Sequence, residues 1–113
     1  MNKFPNYIIA GVMKSGTTVL QDFICLHPDV RTPKIKEINY FSLFSSLGDE
    51  WYLEHFGGDQ TKIIGEASPS YFDMCSSNNI PKLIKTKNQD IKIILIYFLK
   101  SNCSNINFII FNT

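Results

Sequence analysis

One segment near the amino terminus, residues 7–20, constrains the fold of this chain more than any other. An apolar run rich in β-branched residues at positions 7–12 gives way to glycine, lysine and hydroxyl residues, and an amphipathic pattern starts at Thr17. Glycine lets a backbone approach a ligand closely, and the free N–H groups at the start of a helix attract anions. A strand, a turn and a helix in this order therefore predict a phosphate-binding loop at residues 11–18.

The order of residues in this loop separates it from the best-known phosphate loop. The loop reads Gly11-Val12-Met13-Lys14-Ser15-Gly16-Thr17-Thr18. The Walker pattern has four residues between two glycines and then a lysine followed directly by serine or threonine, whereas Lys14 precedes the second glycine here. A polar strand-to-helix connection with a hydroxyl cap accounts for the same residues without any ligand. The loop alone leaves both interpretations open.

Landmarks further along the chain extend the pattern. They are Leu26-His27-Pro28-Asp29-Val30, Lys36-Glu37-Ile38-Asn39-Tyr40-Phe41, Trp51-Tyr52-Leu53 and Gly65-Glu66-Ala67-Ser68-Pro69-Ser70-Tyr71-Phe72. Together with the loop they resemble, in order, the sulfotransferases that use 3′-phosphoadenosine 5′-phosphosulfate (PAPS), above all the heparan-sulfate-type and related bacterial enzymes. The resemblance assigns residues 1–96 to the N-terminal part of a sulfotransferase domain and leaves residues 97–113 as a divergent tail.

The resemblance implies roles for the loop residues. The residues expected to bind the 5′-phosphate of the PAPS co-substrate are Lys14, Ser15, Gly16, Thr17 and Thr18. Lys14 is also expected to be catalytic, because an ammonium group at the bridging oxygen would stabilise the negative charge that builds on the departing phosphate. Sulfuryl transfer of this kind needs no metal.

Glu37 is the second expected catalytic residue. In the heparan-sulfate-type branch the glutamate of the Lys-Glu block is the proposed general base, which removes a proton from the acceptor hydroxyl or amine. The alternative is a solvated glutamate beside Lys34 and Lys36. Relatives in that branch often carry a lysine where this chain has Ala67, so one cation of the family's site is missing here.

The tail departs from the family pattern. In the family, the third main strand runs into an arginine and proline block, and that arginine and a later serine bind the 3′-phosphate of PAPS. Residues 97–113 contain neither arginine nor proline. We hypothesise a frameshift or a premature stop after residue 96 that replaced the rest of the domain with unrelated residues. We therefore expect this chain alone to bind PAPS weakly and to be inactive, with an open sheet edge along residues 91–98.

The alternation of patterns predicts an α/β fold. Strands are expected at residues 7–12, 62–65 and 91–98, and helices at residues 17–26, 49–56 and 79–87. This order indicates a three-layer, P-loop-like parallel sheet flanked by helices, truncated after the third main strand. In the first helix we expect Val19, Leu20, Phe23 and Ile24 to face the core and Gln21 and Asp22 to face away.

Composition bounds the remaining possibilities. A net charge of +1 over 113 residues predicts one small domain without a general attraction to nucleic acid or membranes. The apolar runs are too short for a signal peptide or a membrane span, which predicts a cytoplasmic protein. The three cysteines, Cys25, Cys75 and Cys103, lack metal-ligand spacing. The expected acceptor is a small molecule or a carbohydrate.

A second functional class stays open at this point. The chain could be a non-catalytic fragment that binds a nucleotide or phosphate, or a fragment of a phosphotransferase with a similar loop. A phosphotransferase would need magnesium and an acidic residue at the end of an apolar strand to hold it. No aspartate follows Ile64 or Ile96 directly, and Glu66 is the nearest acid.

Overall fold

The fold is built on one five-stranded sheet in the order β2-β3-β1-β4-β5. A computed structural model of the chain describes residues 3–11, 17–57, 62–74, 79–98 and 106–112. The strands are β1 (Tyr7–Gly11), β2 (Val30–Arg31), β3 (Ile63–Ala67), β4 (Lys92–Phe98) and β5 (Ile106–Asn112). The α-helices are α1 (Thr17–Ile24), α2 (Asp49–Glu54), α3 (Ser70–Asp73) and α4 (Ile80–Lys87), and a π-helical turn (Tyr40–Phe44) and a 3₁₀ turn (Ser45–Leu47) precede α2.

Strands β2, β3, β1 and β4 run parallel, with β1 in the centre. All five residues of β1 are buried, as expected for a strand with both faces covered. Ile8 packs into the core on one face of the sheet and Ile9 into the core on the other. The predicted α/β fold, a parallel sheet with layers on both faces, is confirmed.

Strand β5 was not anticipated from the sequence. It pairs antiparallel with the whole of β4, from Lys92 opposite Asn112 to Phe98 opposite Ile106. The expectation of an open edge along residues 91–98 is therefore wrong. The tail segment 106–112 is rich in isoleucine and phenylalanine, residues that favour strands, and the unpaired N–H and C=O groups of β4 offer it hydrogen-bonding partners.

Helix α1 turns a different face to the sheet from the one predicted. Leu20 and Ile24 pack against the core, as expected. Val19 and Phe23, expected in the core, are 72% and 71% exposed. The side chain between the two packed positions, Gln21, points toward the sheet because it has hydrogen-bonding partners there. The helix is thus rotated so that one polar residue faces inward and two apolar residues face outward.

An aromatic layer covers the other face of the sheet. The rings of Tyr40 and Tyr52 are stacked with centroids 4.5 Å apart, and Phe41 meets Tyr52 and Tyr71 edge-on. Phe56 packs edge-on against Tyr52 as well. Such ring pairs contribute stability beyond the area they bury. The layer fixes the position of the π-helical turn relative to α2 and α3.

A polar contact links the same turn to two helices. Asp49 at the start of α2 accepts a hydrogen bond of 2.6 Å from the Tyr40 hydroxyl and forms an ion pair of 2.9 Å with Lys87 of α4. Burial alone would raise the pKa of Asp49, but the hydrogen bonds from Tyr40 and Lys87 lower it overall.

In the described ranges, no helix has the length and apolar character that crossing a bilayer requires.

Candidate functional site

The predicted phosphate loop connects the central strand to the first helix. Strand β1 ends at Gly11 and α1 begins at Thr17. Lys14, Ser15 and Gly16 lie outside the described residues, and for Thr17 and Thr18 only the backbone is described. The chain crosses from one side of β1 to the other between β3 and β4, and the crevice at such a switch point, beyond the carboxyl ends of the strands, is the usual ligand site of this fold class.

Gly11 shows why this strand must end in glycine. Its φ of +155° is a conformation that L side chains rarely adopt, and a Cβ built there would lie 2.7 Å from the Cβ of Phe72. The same Cβ would lie 3.5 Å from the carbonyl oxygen of Pro69. The start of α3 therefore packs directly against the point where the chain enters the loop.

Glu37 lines an open cleft at this edge of the sheet. The cleft has a volume of about 230 Å³ and lies between α1, the segment 32–37 and the residues at and after the end of β3. Its walls include Gln21, Asp22, Lys34, Lys36, Glu37 and Ala67. Glu37 is exposed to solvent in it. The structure thus places the predicted base on a cleft that it shares with α1, the helix that follows the predicted loop.

The charges of the cleft suit an anionic ligand only in part. Lys34 and Lys36 stand on the same segment as Glu37 and are exposed, and Asp22 faces the cleft from α1. Ala67 is buried at the cleft wall, at the position where the resemblance implies that relatives of the heparan-sulfate-type branch often carry a lysine. Within the described walls, the positive charge therefore comes from the Glu37 segment and not from β3.

Glu66 is a buried residue of β3, next in sequence to Ala67 of the cleft wall. It is 0% exposed and accepts three hydrogen bonds from hydroxyl groups. Ser68 donates to Oε1 at 2.6 Å, Tyr71 donates to Oε2 at 2.9 Å, and Tyr52 also donates to Oε2. Burial raises the pKa of Glu66, and the three hydroxyl donors and the charge of His55 oppose that rise. The pKa values of Tyr52 and Tyr71 are raised well above normal by burial and by the charge of Glu66.

The same hydroxyl groups bind the backbone that follows Glu37. The Tyr71 oxygen accepts hydrogen bonds from the N–H groups of Tyr40 at 3.0 Å and Phe41 at 3.4 Å. The Ser68 oxygen accepts one from the N–H of Asn39 at 3.1 Å. Asn39 adopts a left-handed conformation with φ of 56°, which asparagine tolerates better than most residues. The carboxyl group of β3 is thereby connected to the turn beside the predicted base.

Gln21 and Tyr7 form a contact that the sequence did not predict. The Tyr7 hydroxyl donates to Gln21 Oε1 at 2.9 Å, and Gln21 Nε2 donates to the carbonyl oxygen of Gly65 at 3.2 Å. The prediction that Gln21 faces away is therefore wrong. Burial raises the pKa of Tyr7 to about 12. The glycine inside β3 was the available signal, because glycine within a strand often marks a close approach of another group.

The raised pKa of Glu66 predicts a pH dependence of stability. The folded protein holds a proton on Glu66 at higher pH than the unfolded chain, whose pKa is near 4.5. The stabilisation linked to this group is therefore complete below pH 4.5 and is lost as the pH rises through the raised pKa. In Glu66→Gln that component is absent. Urea unfolding of both proteins between about pH 4 and 8 measures it.

The expected result is a wild-type free energy of unfolding that falls with pH relative to that of the variant. The groups facing Glu66 are the phenols of Tyr52 and Tyr71 and the imidazole of His55, and they are the same in both proteins. Glu54→Gln, at an exposed position of α2, is the control and should leave the pH dependence as it is. If the free energies of unfolding of wild type and Glu66→Gln changed with pH in parallel, the raised pKa of Glu66 would be contradicted.

The chain matches the model of one protein family over most of its length. The family is described as "Sulfotransferase domain", and the match covers residues 4–103. The chain therefore belongs to the sulfotransferase family. The resemblance noted in the sequence is confirmed at this level.

Individual relatives agree with the family. The chain is 40% identical over 96 residues to the membrane-associated sulfotransferase kil1 of Dictyostelium discoideum, a match that covers 81% of this chain and 20% of that protein. It is 34% identical over 95 residues to the human heparan sulfate glucosamine 3-O-sulfotransferase 6, with 83% and 27% covered. The chain thus spans about a fifth to a quarter of the length of these curated relatives.

A solved structure supports the fold. The sulfotransferase from Alicyclobacillus acidocaldarius superposes with a TM-score of 0.67 at 24% identity, covering 81% of this chain and 43% of that one. At this identity the likeness concerns the fold. The parallel sheet described above is thus part of a sulfotransferase-like fold, and the matched region is less than half of that chain.

Proposed function

We propose that this chain is the donor-binding portion of a sulfotransferase domain that moves a sulfuryl group from PAPS to a hydroxyl or amine of a carbohydrate or small molecule. The observation that carries the proposal is the cleft at the carboxyl edge of the sheet. Glu37 lies on it together with α1, the helix that follows the Lys14 loop. Relatives named as heparan sulfate sulfotransferases favour a carbohydrate acceptor.

The described surroundings of the loop are compatible with a donor that ends in a phosphosulfate. The eight-residue helix α1 begins directly after the loop, and the first N–H groups of a helix have no partner within the helix and favour an anion. Lys34 and Lys36 add positive charge to the cleft wall. PAPS would supply the activated sulfuryl group.

The residues of this chain would then divide the reaction between them. Glu37 takes the proton from the acceptor oxygen or nitrogen, which forms a bond to sulfur while the bond from sulfur to the 5′-phosphate oxygen breaks. Lys14 stabilises the charge that remains on that phosphate oxygen. Ser15, Gly16, Thr17 and Thr18 hold the phosphate in line.

One observation argues against the phosphotransferase alternative. A magnesium-dependent enzyme would need a carboxylate with free oxygens near the end of a strand. Glu66 is the acid closest to such a position, but it is buried and both of its oxygens accept hydrogen bonds from hydroxyl groups. It is therefore held as a structural acceptor and not presented to a metal.

Calorimetry on the 113-residue chain tests the proposal. We expect weak binding of adenosine 3′,5′-bisphosphate and no binding of ATP with magnesium. Lys14→Ala should weaken the bisphosphate about 10- to 100-fold, since a hydrogen bond to a charged group contributes roughly 1.5–3 kcal/mol. Lys85→Ala, which removes an exposed lysine of α4, is the matched control and should bind as wild type does.

Two results would decide against the proposal. Preference for ATP with magnesium would favour the phosphotransferase class, and equal loss of binding in Lys14→Ala and Lys85→Ala would show nonspecific charge attraction. Sulfate transfer by the chain alone, abolished by Lys14→Ala, would support the proposed function and contradict the expected inactivity of this portion.

A further inference from the structure

Glu66 has no part in the chemistry proposed above, although its burial demands an explanation. A carboxyl group that is 0% exposed is costly to bury unless hydrogen bonds compensate for the lost water. Within the part of the chain that the structure describes, the hydrogen bonds to Glu66 come from the hydroxyl groups of Ser68, Tyr71 and Tyr52. Among the described residues, no cation forms an ion pair with Glu66. The role of Glu66 must therefore be explained by its hydrogen bonds with hydroxyl groups.

The direction of each hydrogen bond indicates the role of Glu66. A hydroxyl group has one proton to donate and an oxygen that accepts. Ser68 and Tyr71 donate that proton to Glu66, so their oxygens are free to accept from the N–H groups of residues 39–41. One buried carboxyl group thus orients two hydroxyl groups, and their oxygens accept hydrogen bonds from three backbone N–H groups.

A glutamine at this position would not do the same. Its amide offers one accepting oxygen and an NH₂ group that must itself donate. Where the NH₂ faced Ser68, the serine oxygen would receive a second donor, and the serine proton would lose its acceptor. The arrangement therefore depends on a group of this shape that, in its ionised form, only accepts.

The backbone held in this way adjoins the predicted base. Asn39 lies two residues after Glu37, and its side-chain Nδ2 donates to the carbonyl oxygen of Glu37 at 3.2 Å. Ser70 donates to Asn39 Oδ1 at 2.7 Å, which holds the asparagine side chain from the start of α3. A continuous set of hydrogen bonds thus runs from Glu66 to the main chain of Glu37.

We infer that Glu66 is a positioning residue, which holds the segment 37–41 through Ser68 and Tyr71 so that Glu37 stands at the cleft. The inference rests on the proposed function, since it takes Glu37 as the base. Glu66 itself is not expected to touch either substrate, because it is 0% exposed and does not line the cleft.

Amide hydrogen exchange and relaxation on the 113-residue chain test the inference. In Glu66→Gln we expect the amides of residues 39–41 to exchange at least about tenfold faster relative to those of Ile8 and Ile9. The backbone order parameter of Glu37 should fall from about 0.85 to below about 0.6. A purely structural role would accelerate all amides together. Affinity for adenosine 3′,5′-bisphosphate should stay within about twofold of wild type, because the hydrogen-bonding partners of Glu66 among the described residues lie in α2, in α3 and at Ser68, and not in α1, which follows the donor loop.

Two further variants keep the test decisive. Tyr52→Phe removes a hydroxyl that donates to Glu66 without reaching residues 39–41, so it should cause no selective exchange there. Ser68→Ala removes the oxygen that accepts from Asn39 and should accelerate exchange at Asn39 selectively, even if Glu66→Gln does not fold.

The outcomes separate this inference from the proposed function. Uniform acceleration in Glu66→Gln and no selective effect in Ser68→Ala would overturn the positioning role. Loss of bisphosphate binding in Glu66→Gln would overturn it too, because the effect would then reach the donor loop. Selective acceleration at residues 39–41 in Glu66→Gln, found together with a wild-type chain that binds no adenosine 3′,5′-bisphosphate, would support the positioning role and count against the proposed function alone.

Discussion

Alanine in place of Gly65 should lower the free energy of unfolding by about 1–3 kcal/mol or more, the usual cost of forcing an extra group into a packed interior. A Cβ at this position would lie 2.0 Å from Cε1 and 2.1 Å from Cζ of the Tyr7 ring. The ring cannot withdraw freely, because its hydroxyl is hydrogen-bonded to Gln21. Thermal unfolding followed by circular dichroism should show a midpoint lower by roughly 4–8 °C per kcal/mol.

A double-mutant cycle isolates the cause. Tyr7→Leu removes the part of the ring that collides and also removes the hydrogen bond to Gln21, so alone it should destabilise the chain. Combined with Gly65→Ala, the loss should be clearly smaller than the sum of the two single losses, because the collision is then absent. Additive losses would show that the alanine acts through something other than the ring.

The contact matters for the site as well as for stability. Gln21 connects the Tyr7 hydroxyl to the carbonyl oxygen of Gly65, and it also lines the cleft. A shift of the ring in Gly65→Ala would therefore move α1 relative to the sheet. The placement of α1, the helix that follows the phosphate loop, thus depends on Gly65, a strand residue without a side chain.

Phenylalanine in place of Tyr71 is the second change with a large expected effect. The hydroxyl donates to Glu66 and accepts from the N–H groups of Tyr40 and Phe41, and the side chain is 1% exposed. Its loss leaves buried backbone donors without their partner while the ring keeps its packing. We expect a loss of about 2–4 kcal/mol, since each buried polar group left unsatisfied costs roughly 1–3 kcal/mol. Urea unfolding at constant pH measures it.

Tyr52→Phe is the matched comparison for this change. Tyr52 is 0% exposed and donates to the same carboxyl oxygen, but no backbone N–H hydrogen-bonds to its hydroxyl among the contacts of the described residues. The loss should therefore be smaller than in Tyr71→Phe. An equal or larger loss would mean that the cost comes from Glu66 alone and that the link to residues 39–41 contributes little.

Much of the fold could be predicted because its elements are local patterns. The β-branched run at residues 7–12, the helix before Pro28 and the lysine-rich helix near residue 84 each carry their own signal, and the structure places β1, α1 and α4 there. Their parallel arrangement follows from the alternation of strands and helices. Strand β5 escaped prediction because a strand outside the family pattern is recognised only when it is seen to pair with a neighbour.

The residues expected to carry the chemistry of the candidate site could be predicted from the sequence, whereas the residues that hold the site in place could not. Lys14 and Glu37 were identified by motif, and Glu37 is found on a cleft at the expected edge of the sheet. Glu66 was noted as part of a family landmark and as the acid nearest a strand end, but the sequence does not reveal that the hydroxyl groups of Tyr52, Ser68 and Tyr71 converge on it. Gln21 was assigned to the wrong face of α1 because helical periodicity counts polarity and not hydrogen-bonding partners.

By itself, the sequence determined the family, the α/β class and the residues expected to act on a sulfuryl donor, because these depend on residue types in a fixed order. Only the tertiary structure decided which groups hold these residues in place. Glu66 and Asn39 are 27 positions apart in the sequence, and their connection through Ser68 exists only once β3 and the turn after Glu37 are packed together. Burial and hydrogen bonding across such distances depend on the folded arrangement, which no local pattern contains.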